Sequence, residues 1–87
     1  MNDAHELPEP SLLYFVASLA TQGRIALGDI ANPVTGESRV DLRQAKFCID
    51  HLEVLDEKTE GNRTPDESQA IENVLHDLRM RYMEASD

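Results

Sequence analysis

Cys48 and His51 stand three residues apart, which on a helix places them on neighbouring positions of one face. His76 and Asp77 lie 25 and more residues further on, in a segment that would run back beside the first. A thiolate and imidazoles converging from two such helices could hold a metal ion, or support a thiol-dependent reaction. The plainer reading is a small core cysteine and two boundary histidines. Cysteine is among the most buried residue types and needs no ligand role to explain it. No His-Glu-x-x-His spacing supports a metal, so the plainer reading is preferred.

Other residue types offer less. The pairs Asp50/Glu53 and Glu53/Glu57 could exchange protons only if burial or a charged neighbour moved their pKa values, and their spacing puts them on a polar helical face. Ser11, Ser18, Ser38 and Ser68 lack the Gly-x-Ser-x-Gly context of a nucleophile. Gly23, Gly28 and Gly36 are too dispersed to form a phosphate-binding loop. No catalytic constellation emerges and no cofactor is expected. Arg79-Met80-Arg81-Tyr82 is the one basic-aromatic cluster, a candidate contact for an acidic partner through Arg79, Arg81 and Tyr82. Its plainer role is compensation of a helix C-terminus, with ion pairs to Asp77 or Glu84.

The 87 residues carry 8 Lys and Arg against 17 Asp and Glu, a formal net charge of -9. Residues 1–40 hold 2 basic and 5 acidic residues, and residues 41–87 hold 6 and 12. Neither half is basic, which argues against a nucleic-acid partner or an anionic membrane surface. One cysteine rules out an internal disulfide and fits a reducing cytoplasm. The acidic start Met1-Asn2-Asp3-Ala4-His5-Glu6 lacks the basic segment of a secretory leader. The apolar run Leu12–Ala20 falls well short of the ~20 residues that cross a bilayer.

Residues 1–10 read as a flexible lead-in and 11–87 as one domain. Helix punctuation is strongest in the second half. Asp41 is a helix cap with Gln44 three residues on, and the helix runs from Leu42 to about Glu60. Gly61 or Asn62 supplies the left-handed residue that ends it. Thr64-Pro65-Asp66-Glu67 opens a third helix, to about Glu84, with a capping box and proline in the first turn. So short a link makes helices two and three antiparallel neighbours. Leu42, Ala45, Ile49 and Leu52 face the core, with Cys48 and Leu55 beside them, whereas Phe47 and Val54 fall off that stripe and face a second surface. Ile71, Val74, Leu75, Leu78 and Tyr82 form the stripe of helix three.

Helix one starts near Pro10-Ser11 and runs to Leu27 or Ala31. Leu12, Phe15, Val16, Leu19, Ala26, Leu27 and Ile30 follow one apolar line, and Leu13, Ala17 and Ala20 add a second. Ala17, Ala20 and Gly23 form a flank of small residues, and Gly23 implies either a close helix crossing or a weak point. Tyr14 and Phe15 beside Leu12 and Leu13 form an exposed patch at the helix start. A hairpin of two helices covers one side of such a helix, and uncovered apolar surface marks an interface. The connection around Asn32-Pro33 and Thr35-Gly36 is a turn-rich loop, with no sheet expected.

Several segments together resemble a known family. They are Phe15 to Gln22, Leu27-Gly28-Asp29, Asn32-Pro33, Asp41 to Lys46, Glu57-Lys58-Thr59 with Gly61-Asn62, and Leu78 to Tyr82. The resemblance, from about Ser11 to Tyr82, is to short bacterial proteins catalogued as domain of unknown function 1844. It implies a small bacterial helical protein and brings no activity, cofactor or site residue with it.

The expectation is an all-α, three-helix domain with an antiparallel two–three hairpin, homodimeric through helix one. Leu12, Leu13, Phe15, Val16, Leu19, Ala20 and Gly23 would form the interface. Its expected role is a non-enzymatic, cytoplasmic interaction or regulatory module that docks by apolar contact, with a further unidentified protein as candidate partner. The alternative is the metal- or thiol-dependent site at Cys48, His51 and His76. Weak membrane association through helix one is a third reading.

Overall fold

The computed structural model describes residues 7–87. The part of the expected flexible lead-in that covers residues 1–6 lies outside them. Three helices follow in order: α1 (Leu12–Ala26), α2 (Leu42–Thr59) and α3 (Pro65–Ser86). Each begins on a side-chain cap. Ser11 accepts from the Tyr14 amide, Asp41 from the Gln44 amide, and Thr64 and Glu67 form the full reciprocal box, with Pro65 at the first helical position.

α1 ends earlier than its apolar periodicity implies. Gly28 takes a left-handed φ of 82°, its N–H donates to the Ile25 carbonyl, and the Asp29 N–H reaches back to Arg24. These two bonds satisfy the last carbonyls and stop the helix at Ala26. Ile30, expected on the apolar line, therefore lies beyond the helix and is exposed. α2 ends in a tight turn in which Asn62 donates to the Thr59 carbonyl and Gly61 supplies a φ of 87°. Gly61, rather than Asn62, is thus the left-handed residue.

The long connection is tied into place. The Asn32 side chain accepts from the Val34 and Thr35 amides, and its backbone exchanges bonds with Gly36 and Glu37. One antiparallel bridge pairs Leu27 with Val40, and Asp41 donates to the Ala26 carbonyl at 2.7 Å. That bridge sets α2 running back from the end of α1. The bridge is isolated, and no longer strand forms among the described residues.

α2 and α3 form the hairpin, and α1 packs on both. The domain measures 39 × 39 × 15 Å. Two helices packed ~8–10 Å apart, with ~2.3 Å of backbone radius on each side, account for the 15 Å thickness, so the domain is two helix layers deep. Its core is Val16, Ala26 and Leu27 from α1 and its cap, Ala45, Ile49 and Leu52 from α2, and Ile71, Leu75 and Leu78 from α3. Cys48 is buried beside it.

Gly23 explains itself here. A Cβ on Gly23 would sit 2.9 Å from a Leu78 methyl, so the helices cross where glycine leaves room. The close crossing that Gly23 implied is therefore with α3 of the same chain.

Candidate functional site

The metal alternative does not assemble. Cys48 is buried at 2% exposure, whereas His51 and His76 are both exposed. His51 leans edge-on against Phe47, with ring centroids 4.2 Å apart, and its Nδ1 lies 2.9 Å from the Phe47 carbonyl oxygen. Among the described residues no three His, Cys, Asp or Glu side chains gather into a group that could hold a metal ion. The i, i+3 spacing placed Cys48 and His51 on adjoining positions, but the core boundary runs between them. Burial pushes the Cys48 thiol above its ordinary value, against a smaller opposing effect of a Gln44 hydrogen bond. A thiol held protonated is a poor nucleophile.

Two of the three carboxylates named on the α2 face, Asp50 and Glu53, have basic partners. Asp50 accepts from Lys46 at 3.0 Å, and Glu53 accepts from Arg79 of α3 at 2.6 Å. The arginine cluster faces its own chain in the same way. Asp77 accepts from Arg24 at 2.6 Å and from Arg81 at 3.1 Å, while Arg81 also reaches Asp29 at 2.6 Å. These pairs link α1, its closing turn and α3. The expected pair with Asp77 forms for Arg81, whereas Arg79 pairs with Glu53 and Glu84 takes no part in these ion pairs. Because α3 continues to Ser86, its last turn holds no basic residue, and the argument from the helix dipole lapses. Tyr82 is half-buried against the core.

The seven α1 positions expected at an interface divide. Val16 and Gly23 are buried in the chain's own core and unavailable to a partner. Leu12, Leu19 and Ala20 are half-buried, with Leu12 and Leu19 packed on the core. Leu13 and Phe15 are exposed. The split follows from Gly23 against Leu78, which fixes which side of an almost uniformly apolar helix turns inward.

What remains outside is an aromatic and aliphatic surface. Of the two tyrosines and two phenylalanines in the chain, Tyr14, Phe15 and Phe47 are exposed, at 55, 51 and 58%. Val54 is exposed on the same outer side of α2 as Phe47, seven residues on. On α1 the outward face runs through Tyr14, Ala17, Ser18, Thr21 and Ile25 at helical spacing. Sequence reasoning placed Tyr14 and Ala17 on apolar surface but passed over Ser18, Thr21 and Ile25. The signal for this face was the placement of Ser18 and Thr21 four residues after carbonyls their hydroxyls can reach: Ser18 donates to Tyr14 at 3.0 Å and Thr21 to Ala17 at 3.1 Å.

An open cleft of about 440 Å³ lies between the end of α1, the connection and the start of α2. Gln22, Asn32, Glu37, Arg39 and Gln44 give it a mixed polar lining with no concentration of like charge.

Fold and surface together define a small three-helix α domain with an aliphatic core and exposed aromatic side chains. The chain belongs to the family described as Domain of unknown function (DUF1844), whose model matches residues 9–84. No curated protein and no solved structure matches it. Among the described residues no helix is long and apolar enough to cross a membrane.

Proposed function

We propose that this protein is a non-enzymatic interaction module that associates with itself, and through itself with other proteins, by apolar docking of helix faces. The observation that carries this reading is the inversion of its aromatics. The core is aliphatic, while Tyr14, Phe15 and Phe47 stand in solvent. An aromatic ring offers a large apolar area at low entropic cost, so such residues dominate interface energetics. In a chain this small, leaving three outside forgoes burial that the monomer needs.

The protein acts in a reducing cytoplasm on this reading, consistent with its single, buried, free cysteine. The test is sedimentation of the intact chain against a Tyr14→Ser/Phe15→Ser/Phe47→Ser variant. The intact chain is expected to associate at micromolar concentration, and the variant to keep its helix content and sediment as a monomer. An intact chain that stays monomeric at every accessible concentration contradicts the proposal.

A further inference from the structure

Resting on that reading, we infer that the outward face of α1 is the self-pairing surface, and that two copies meet α1 on α1 in antiparallel orientation. Charge selects this face. Two chains of net charge -9 repel, so their contact must be the place where few charges meet. α1 is that place. Its fifteen residues hold one charge, Arg24, and that guanidinium is paired with Asp77.

The other exposed apolar side chains on the helices sit among charges. At helical spacing Phe47 neighbours Arg43 and Asp50, Val54 neighbours Asp50, Glu57 and Lys58, Met80 neighbours Asp77 and Glu84, and Met83 neighbours Arg79. Leu13, Tyr14, Ala17 and Thr21 have no charged neighbour on α1 except Arg24, whereas Ile25 borders the cleft that Glu37, Arg39 and Asp41 line. The two hydroxyls on this face already donate to their own helix, so covering them leaves no donor unmet. A basic partner would instead favour the acidic surfaces of α2 and α3, which leaves a second copy as the occupant that an uncharged face on an acidic body fits.

Orientation follows from Arg24 and from the poles of the helix. Parallel pairing would set Arg24 beside Arg24 of the partner subunit and align like poles of the two helices, whereas antiparallel pairing separates both. In the antiparallel arrangement, centred near residues 19 and 20, Thr21 lies close to its own counterpart. Tyr14 lies about 16 Å from its counterpart along the axis.

The experiment is sedimentation of the full chain and its variants at low and high salt, with cysteine cross-linking as the orientation readout. The wild type is expected to dimerise, and to do so more tightly as salt screens the repulsion between the two bodies. Ala17→Glu and, separately, Thr21→Glu weaken the dimer by at least about tenfold while circular dichroism shows the helices intact. Met83→Glu, on the exposed end of α3, leaves it unchanged. On a Cys48→Ala background, Thr21→Cys forms a disulfide dimer and Tyr14→Cys does not, since a disulfide spans at most ~7 Å between Cα atoms.

A wild type that is monomeric overturns both this inference and the proposed function. A dimer indifferent to the α1 glutamates but dissociated by Phe47→Glu overturns the α1 face alone. So does a dimer that loosens with added salt. Cross-linking through Tyr14→Cys and not Thr21→Cys overturns the orientation.

Discussion

The two sides of α1 differ more from each other than α1 differs from its neighbours. The inner side presents Val16, Gly23 and Ala26, small or aliphatic, and approaches α3 so closely that Gly23 has no room for a methyl group beside Leu78. The outer side presents Tyr14, Ala17, Thr21 and Leu13, equally uncharged, and is exposed. A helix that is apolar all round is normally buried all round. Here half of that burial is supplied within the chain, and the comparison shows which half stays exposed.

The largest expected effect comes from breaking the inner side. Leu78→Ala removes a fully buried side chain from the α1–α3 crossing and is expected to cost about 3 kcal/mol of unfolding free energy in a urea titration. Gly23→Val forces a branched side chain into the same contact and should cost about 2 kcal/mol, despite the better helix propensity of valine. If Gly23→Val proved neutral, the two helices would not be held as closely as described.

A smaller effect sharpens the comparison from within the core. Burial raises the folded Cys48 thiol above its ordinary value of 9.0, so above that pH the unfolded chain loses its thiol proton first and binds fewer protons than the folded one. Stability contributed by this group is therefore complete below pH 9 and declines as pH rises through the raised folded value. Melting temperatures of wild type and Cys48→Ala across pH 8 to about 10.5 should diverge in slope, with the steeper fall in the wild type. Parallel curves would mean that the thiol is not desolvated.

The smallest effect on folding belongs to the outer side. Tyr14→Ser and, on the adjoining exposed flank, Phe15→Ser should change the stability of the dilute monomer by no more than about 0.5 kcal/mol. They should nevertheless abolish the rise of melting temperature with protein concentration that self-association confers. A loss of several kcal/mol in the dilute protein would place these rings inside the fold instead.

Much of the fold was legible because helix ends write themselves in few residues. Asp41, Gly61, and Thr64-Pro65 with Glu67 bounded α2 and α3 to within a residue or two, and the periodic positions of both helices face the core as spaced. The end of α1 was not legible. Apolar periodicity continues through Leu27 and Ile30, and only the left-handed Gly28 with its two backward bonds breaks it. Nor could the pattern say which side of α1 turns inward, because apolar residues occupy both. That was decided by the fit of Gly23 against Leu78, 55 residues away. The Arg81–Asp29 pair joins residues equally remote in sequence. The apparent Cys48/His51 constellation failed for a related reason: adjoining helical positions can lie on opposite sides of a core boundary.

The most direct test of the account is the solution mass of the intact 9.8 kDa chain, measured by light scattering at micromolar concentration in low and high salt. The account predicts a dimer, twice the chain mass, with the dimer fraction increasing as salt is added. A mass that stays at that of one chain in both conditions would contradict it.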